Sequence, residues 1–196
     1  MFQKPNSMFY IDDIDSIANT LDKGGIILYP TDTIWGLGCD ATNPKSVERI
    51  YEIKKRPMER PFILLVNDIG MLRKYVPKIH PRLETLLAYH ERPLTVIYQQ
   101  VKNLPKIVRG EGDSVAIRIT LDEFCRQIIS KLGRPIVATS ANLSDHPHPS
   151  HFGDISSEII HQVNYVVKYR QDKKRSGELS QIVKLSSKAE LIFVRE

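Results

Sequence analysis

Apolar residues in this 196-residue chain follow two alternating patterns, short continuous runs and longer stripes at helical spacing. The runs are typical of strands with little exposure to water, and the stripes of helices with one buried side. We predict strands at 26–29, 62–66, 94–99, 115–119, 135–138, 165–169, 181–185 and 191–194. We predict helices near 14–21, 43–54, 68–76, 80–90, 123–132 and 154–163. Strands that alternate with helices in this way indicate an α/β domain.

The last predicted strands follow one another without helices between them. A parallel pair needs a long crossover connection, so part of the sheet is predicted to be antiparallel. The length suits one domain, and we predict a single domain over residues 1–196.

Composition narrows the class of protein without giving its function. Apolar residues make up 41% of the chain and charged residues 26%, as in ordinary soluble globular proteins. No apolar run approaches the length of a membrane span, and the first residues lack the apolar core of a signal peptide. Cys39 and Cys125 are too few for a disulfide framework, which predicts a reducing, cytoplasmic location. The net charge of +5 suits an anionic ligand such as a nucleotide or RNA.

The first candidate site lies in residues 29–61. Pro30 ends a buried strand because proline cannot donate to the sheet, and Thr31–Thr33 follow at once with two hydroxyls and a carboxylate. The apolar stripe of the next helix, continued by one turn, reaches Lys54, two residues before Arg56. These cations predict a pocket that faces the 31–33 loop. The alternative is a lysine whose ammonium extends into solvent.

A second polar group comes much later in the chain. Ser140 and Asn142 follow a buried strand, and loops at strand ends are where α/β sheets bind ligands. In the predicted strand 115–119, Arg118 lies on the face opposite the apolar residues, towards solvent or a ligand. A turn that bonds its own backbone is the alternative for Ser140 and Asn142. The candidate cations for phosphate or carboxylate are Lys54, Arg56, Arg60 and Arg118.

Other motifs are weaker. Gly36-Leu37-Gly38 is too short for a dinucleotide fingerprint, and no Walker A motif occurs. His146, His148 and His151 lie in a segment broken by prolines, which favours a solvent loop over a zinc site. The basic segment 168–175 lacks the aromatic pattern of known RNA modules, which favours a solvated loop. The residues alone therefore predict an α/β domain with a cationic, hydroxyl-rich site for an anionic ligand.

Taken together, the motifs resemble the YrdC family over nearly the whole chain. The matching segments are Tyr-Pro-Thr-Asp-Thr-Ile-Trp-Gly-Leu-Gly at 29–38, Lys54-x-Arg56-Pro57, Pro93-Leu94-Thr95, Val115-Ala116-Ile117-Arg118, Thr139-Ser140-Ala141-Asn142 and Ser180. The family's Lys-x-Arg and Ser-x-Asn signatures are both present and in order. The resemblance implies a twisted mixed sheet flanked by helices, with a positively charged concave face.

The family is known for threonylcarbamoyl-AMP synthase. The resemblance therefore implies a nucleotidyltransferase that joins L-threonine, bicarbonate and ATP and releases diphosphate. The product would feed the t6A modification of tRNAs that read codons starting with A, through a downstream t6A transferase machinery. Mg²⁺ that bridges the ATP phosphates is expected from the chemistry, without dedicated protein ligands. A non-catalytic RNA-binding paralogue and a plain nucleotide-binding regulator remain alternatives.

Carried over by position, the resemblance implies two sets of site residues. ATP would contact Lys54, Arg56, Arg60, Ser114, Ser140, Asn142 and Arg195, with Lys54, Arg56 and Ser140 holding its phosphates. Threonine would contact Thr33, Arg118 and Ser180, with Arg118 pairing its carboxylate. Lys54 and Arg56 would be the catalytic residues, because they offset charge as a carbamate oxygen attacks the α-phosphorus.

The sequence departs from the family pattern at several positions. Trp35 replaces a usual tyrosine, and Arg60 and Leu65 stand where many members have asparagine and histidine. The threonine pocket is therefore expected to differ in detail. Gln181 follows Ser180 where threonine is common, and the extra C-terminal domain of longer members is expected to be absent.

Overall fold

The computed structural model describes residues 12–173 and 178–195 of the chain. The helices are α1 (Ile14–Asp22), α2 (Pro44–Lys54), α3 (Ile69–Tyr75), α4 (Pro81–Tyr89), α5 (Glu123–Leu132) and α6 (Ser157–Ile160). The strands are β1 (Ile27–Pro30), β2 (Trp35–Gly38), β3 (Ile63–Val66), β4 (Leu94–Tyr98), β5 (Val115–Ile119), β6 (Ile136–Ser140), β7 (Tyr165–Val166), β8 (Gln181–Leu185) and β9 (Leu191–Arg195). Single 3-10 turns lie at Lys106–Val108, Glu111–Asp113 and Phe152–Asp154.

Side-chain caps fix where the helices begin and end. Asn43 accepts hydrogen bonds from two backbone N–H groups of α2, and Pro44 takes the first helical position. Asp122, one residue before α5, accepts from a backbone N–H of its first turn. Gly133 ends α5 with a φ of 73°, a conformation that glycine adopts without steric cost.

The described strands form one nine-stranded sheet in the order β7-β1-β2-β6-β3-β5-β4-β8-β9. The pairs β1–β7, β3–β5 and β4–β8 are parallel, and the other five pairs are antiparallel. α1 and α5 pack on each other, and α3 and α5 lie against β3. The predicted fold class, a twisted mixed sheet flanked by helices, is confirmed. The prediction of a single domain over residues 1–196 stays a prediction.

Three segments differ from the predicted elements. The strand predicted at 165–169 is only Tyr165–Val166. Residues 35–38, which lie outside the predicted strands and helices, form β2 between β1 and β6. The two glycines permit this close packing, because a Cβ on Gly38 would lie 2.7 Å from the Tyr29 ring and one on Gly36 3.0 Å from the backbone of Thr139. The helix predicted at 154–163 is only the short Ser157–Ile160.

The core contains both cysteines and several large polar or aromatic side chains. Trp35, Tyr29 and Lys54 are among the largest fully buried side chains. Cys39 and Cys125 are free thiols, and burial raises the pKa of each, so both behave as core residues. Within residues 12–173 and 178–195, the search for a helix able to span a membrane found none.

Candidate active site

A cavity of about 340 Å³ lies against the sheet, lined by residues from seven strands and the adjoining loops. Its polar lining consists of Thr31, Thr33, Arg56, Arg118, Thr139, Ser140, His148, Ser180 and Arg195. Within the part of the chain that the structure describes, this lining includes three arginines and no carboxylate. The cavity therefore suits an anionic ligand. We distinguish an Arg118 group (Thr33, Arg118, Ser180 and Arg195) from an Arg56 group (Arg56 and Ser140, with Lys54 behind them).

Arg118 reaches the cavity from β5, on the face opposite the apolar residues of that strand. Its side chain is 4% exposed and lines the cavity. Of the two environments predicted for Arg118, solvent or a ligand, the structure therefore favours a ligand. Nη2 lies 2.9 Å from Oδ1 of Asp32 and donates to Oγ1 of Thr33 at 3.5 Å. Nε is buried and, among the described residues, has no hydrogen-bond partner. A buried donor without a partner is costly, which is consistent with a ligand acceptor at this position.

The loop between β1 and β2 holds Thr33 by a hydroxyl network. Oγ1 of Thr31 donates to the carbonyl of Ile34 at 2.8 Å and accepts from the backbone N–H of Thr33 at 3.1 Å. The two threonine hydroxyls lie 2.9 Å apart. This is an ST-type turn, and it fixes the hydroxyl of Thr33 beside Arg118.

Ser180, directly before β8, and Arg195, at the end of β9, complete the Arg118 group. Nε of Arg195 donates to the carbonyl of Ser180 at 2.9 Å, and Nη2 donates to its Oγ at 3.1 Å. Oγ1 of Thr95 lies 2.8 Å from the same Oγ, and Thr95 pairs with Arg118 across β4 and β5. Burial, and then the charge of Arg118, lower the pKa of Arg195. The two arginines therefore share one end of the cavity, where they repel each other in the absence of an anion.

Arg56 approaches the cavity from the connection between α2 and β3. Nε donates to the carbonyl of Arg60 at 2.8 Å, and the guanidinium carbon lies 5.3 Å from the centre of the Phe62 ring. Burial lowers the pKa of Arg56, and arginine stays charged in proteins. The described part of the chain places no carboxylate within 4.0 Å of this guanidinium, so its charge is available to a ligand.

Lys54 is 1% exposed and lies behind the wall that Ser140 forms. Nζ donates to the carbonyl of Ser140 at 2.5 Å, to the carbonyl of Asn142 at 2.6 Å and to Oδ1 of Asn142 at 3.2 Å. These three acceptors match the three N–H groups of the ammonium. Burial, and then the charge of Arg56, lower the pKa of Lys54 to about 7. In this structure Lys54 tethers the 140–142 turn and does not line the cavity.

The Ser140–Asn142 turn begins at the last residue of β6 and places only one of its two polar side chains in the cavity. Ser140 pairs with Gly36 of β2 and lines the cavity. Asn142 lies outside the lining, because its amide donates to the carbonyl of His146 at 2.5 Å and its Oδ1 accepts from Lys54. The distant segments 54–56 and 140–142 therefore meet at one cavity.

Two predicted nucleotide contacts lie elsewhere. The side chain of Arg60 is 60% exposed and pairs with the exposed Asp145 at 3.4 Å. The hydroxyl of Ser114 donates to the carbonyl of Glu111 at 2.8 Å. Neither Arg60 nor Ser114 lines the cavity. The nucleotide contacts of Arg60, Ser114, Lys54 and Asn142 stay predictions from the resemblance.

Sequence reasoning missed three residues at the site. Asp32 contacts Arg118, Thr95 contacts Ser180, and His148 lines the cavity. Burial, and then the charges of Lys54 and Arg195, lower the pKa of His148, so it is neutral near neutral pH. The contacts of Thr95 depend on strand register. The position of Asp32 between two threonines was the available signal for its contact.

The departures from the family pattern fall into two classes. Trp35 and Leu65 are fully buried, and Trp35 packs against Phe152 with ring centres 5.1 Å apart. Trp35 and Leu65 are therefore core residues outside the cavity lining, while Arg60 lies at the exposed surface.

The donor set does not fit a metal held by the protein. Over residues 12–173 and 178–195, no group of three or more histidine, cysteine or acidic residues is placed to hold an ion. The cavity lining in the same ranges offers hydroxyls and cations, whereas Mg²⁺ prefers carboxylate, carbonyl and water oxygens. A magnesium ion at this site would take its anionic ligands from nucleotide phosphates.

Sequence comparisons identify the family of the chain. The Sua5/YciO/YrdC family model, described as "Telomere recombination", matches residues 19–196. The threonylcarbamoyl-AMP synthase of Pseudoalteromonas translucida is 34% identical over 157 residues, which cover 79% of this chain and 84% of that protein. The threonylcarbamoyl-AMP synthase of Vibrio cholerae is 32% identical over 82% of this chain and 87% of that protein.

Solved structures show the same architecture. The structure of P. abyssi Sua5 complexed with L-threonine matches with a TM-score of 0.85 and 27% identity, over 93% of this chain and 53% of that one. The chain thus spans about half the length of the Sua5 chain. E. coli YciO matches with a TM-score of 0.80 over 93% of this chain and 88% of that one, and at 22% identity it supports the fold alone. From the family model and the relatives above 30% identity, the chain belongs to the Sua5/YciO/YrdC family.

Proposed function

We propose that this protein is a threonylcarbamoyl-AMP synthase that converts L-threonine, bicarbonate and ATP into threonylcarbamoyl-AMP, diphosphate and water. One observation carries the proposal beyond the names of the relatives. Segments far apart in the chain bring the Arg118 group and the Arg56 group to one cavity. A reaction between an amino acid and a triphosphate needs two such anion sites within reach of each other.

The Arg118 group is the candidate threonine subsite. Arg118 would pair with the threonine carboxylate, because a planar guanidinium matches a carboxylate with two parallel hydrogen bonds. Thr33 and Ser180 would supply hydrogen bonds to the remaining polar groups of the amino acid. P. abyssi Sua5, which shares this fold, has been solved in complex with L-threonine, and this supports a threonine subsite here.

The Arg56 group is the candidate nucleotide subsite. Arg56 and Ser140 would contact the phosphates, and Arg195 would reach them from the Arg118 group. Lys54 would act from behind, by holding the carbonyls of Ser140 and Asn142 in place and by adding positive potential. Arg60, Ser114 and Asn142 would join only if nucleotide binding rearranges their present contacts.

The chemistry has two steps. The threonine amine adds to bicarbonate with loss of water, which gives a carbamate. A carbamate oxygen then attacks the α-phosphorus of ATP, and the bond to the diphosphate leaving group breaks. Arg56 offsets the charge that develops on the phosphate oxygens, so catalysis rests on positioning and electrostatic stabilisation. Mg²⁺, as part of the nucleotide substrate, would neutralise the diphosphate that leaves.

The test is diphosphate release by the purified protein with ATP, bicarbonate, L-threonine and Mg²⁺. We expect release that requires threonine and bicarbonate together, and formation of an adenylate with the mass of threonylcarbamoyl-AMP. Omission of either co-substrate is the control for background ATP hydrolysis. Release that does not depend on both co-substrates would contradict the proposal.

The biological setting follows from the product. A labile adenylate would pass to a t6A transferase machinery that modifies tRNA, and the two buried free thiols suit the reducing cytoplasm.

The RNA-binding paralogue is not favoured, because the curated relatives are named as synthases. Its signature would be RNA binding that weakens steeply with salt, without turnover of ATP.

A further inference from the structure

Asp32 and Arg118 form a buried ion pair directly behind the cavity. Oδ1 of Asp32 lies 2.9 Å from Nη2 of Arg118, and the two side chains are 7% and 4% exposed. Arg118 lines the cavity, whereas Asp32 does not. The carboxylate therefore reaches a ligand only through the guanidinium.

The second oxygen of Asp32 is anchored to the protein. Oδ2 accepts from the backbone N–H of Leu121 at 3.2 Å and from Oγ1 of Thr120 at 3.4 Å. These residues follow β5, the strand that carries Arg118. Asp32 thus joins the β1–β2 loop to the end of β5 and restricts the rotation of the Arg118 side chain.

The ion pair also divides the cationic cavity electrostatically. Within residues 12–173 and 178–195, neither Arg56 nor Arg195 has a carboxylate within 4.0 Å, while Arg118 has one at 2.9 Å. A multiply charged phosphate chain gains more from an uncompensated guanidinium than from a neutralised one. A single carboxylate needs less charge and more geometric fit, which a restrained guanidinium supplies.

We propose that Asp32 is a positioning residue that orients Arg118 for the threonine carboxylate and, by neutralising it, keeps the ATP phosphates on the other arginines. This inference rests on the proposed function and concerns its substrate selectivity. It gives Asp32 a role that a purely structural ion pair would lack.

The main test compares Asp32→Ala with wild type in steady-state kinetics and in calorimetric titrations of L-threonine. We expect the KM and the dissociation constant for threonine to rise about tenfold or more, since an Arg118 that has lost its ion pair would no longer be oriented for the charge-assisted hydrogen bonds to the threonine carboxylate. The KM for ATP should change less than about twofold. Diphosphate should become a competitive inhibitor against threonine, because Arg118 would then be an uncompensated cation.

Asp40→Ala is a matched control. Asp40 has the same 7% side-chain exposure, one oxygen 2.8 Å from Nε of Arg134 and the other accepting from the backbone N–H and hydroxyl of Thr42. It lies outside the cavity lining, so its loss should lower stability without changing the threonine KM or the inhibition pattern. Asp32→Glu, which keeps the charge, should raise the threonine KM while leaving diphosphate non-competitive against threonine.

The double variant Asp32→Ala/Arg118→Ala decides whether Asp32 acts through Arg118. The proposal requires that Asp32→Ala has less than about a twofold effect on threonine affinity once Arg118 is absent. The proposal would be overturned if the effects of Asp32→Ala and Arg118→Ala on threonine affinity were independent. It would also be overturned by unchanged threonine affinity in Asp32→Ala, or by equal losses of threonine affinity in Asp32→Ala and Asp40→Ala. Asp32→Asn, which preserves the shape of the side chain, provides the same comparison if Asp32→Ala does not fold.

The calorimetric arm separates this inference from the proposed function. Wild-type protein that binds threonine but does not release diphosphate would remove the proposed activity, and the threonine affinities of the variants would still decide the role of Asp32. Wild-type protein that turns over, with unchanged affinity in Asp32→Ala, would remove only the role of Asp32.

Discussion

The Arg118 group and the Arg56 group differ in how the protein holds their cations. Arg118 is almost fully buried, compensated by Asp32, and linked through Thr95 to Ser180 and Arg195. Arg56 is only partly buried, and backbone carbonyls of the 60–61 segment accept its hydrogen bonds. The cation of the first group is therefore enclosed and paired, and that of the second is more open, with no carboxylate of the described residues within 4.0 Å of its guanidinium.

The difference matches two recognition problems. A small amino acid offers few contacts, so its site must be rigid and correctly oriented before binding. A triphosphate offers several charges, and uncompensated cations attract it even where their side chains retain some freedom. Lys54 combines features of both groups. It is buried like Arg118, but its hydrogen bonds go to backbone carbonyls, as those of Arg56 do.

Replacement of Arg118 should have the largest effect on threonine binding and so give the strongest test of the difference between the two groups. Arg118→Ala leaves Asp32 buried without its partner and removes the cation for the threonine carboxylate. We expect the KM for threonine to rise at least about thirtyfold, in line with the loss of one partner of a buried charge pair. Arg134→Ala, which removes an ion-pairing arginine outside the cavity, should change this KM less than about twofold in the same diphosphate-release assay.

The Arg56 group should show a loss of rate more than a loss of threonine affinity. Arg56→Ala or Lys54→Ala should lower kcat/KM for ATP at least about tenfold, or about 1.4 kcal/mol of transition-state stabilisation. Arg60→Ala should cost less than about threefold, because its partner Asp145 is exposed and surface ion pairs contribute little. A fully active Lys54→Ala/Arg56→Ala variant, or equal losses for Arg56→Ala and Arg60→Ala, would contradict this assignment.

The last expected effect concerns stability instead of catalysis, and it is the pH dependence that Lys54 gives to unfolding. Its pKa in the folded protein is about 7, below the value of 10.5 usual for lysine, so the unfolded chain binds the extra proton between these values. The free energy of unfolding, relative to Lys54→Met, should therefore rise with pH by roughly 1 kcal/mol per unit above pH 7, and level off near pH 10.5. Urea denaturation of both proteins over this range measures the difference, and parallel pH profiles would show that Lys54 does not titrate there.

The fold was more predictable than the local geometry of the site. The buried strands, the helix that begins at Asn43 and Pro44, and the mixed sheet follow from local pattern and capping chemistry. The strand at Trp35–Gly38 does not follow from local pattern. Its glycines leave room for backbone that is distant in the sequence, at Val137 and Thr139. The helix predicted beyond Asp154 is mostly absent, since apolar spacing alone does not supply enough hydrogen-bonded turns in so short a segment.

The sequence by itself determined which residue types are available to the site, their order along the chain, and the face of β5 on which Arg118 lies. It also carried the family resemblance in the Lys-x-Arg and Ser-x-Asn motifs. Only the tertiary structure decided that Lys54 bonds to the carbonyls of the 140–142 turn, that Arg60 pairs at the surface, and that Asp32 neutralises Arg118. The reason is that a side chain's partner is set by strand register and packing between distant segments, whereas sequence patterns report only the near neighbours of each residue.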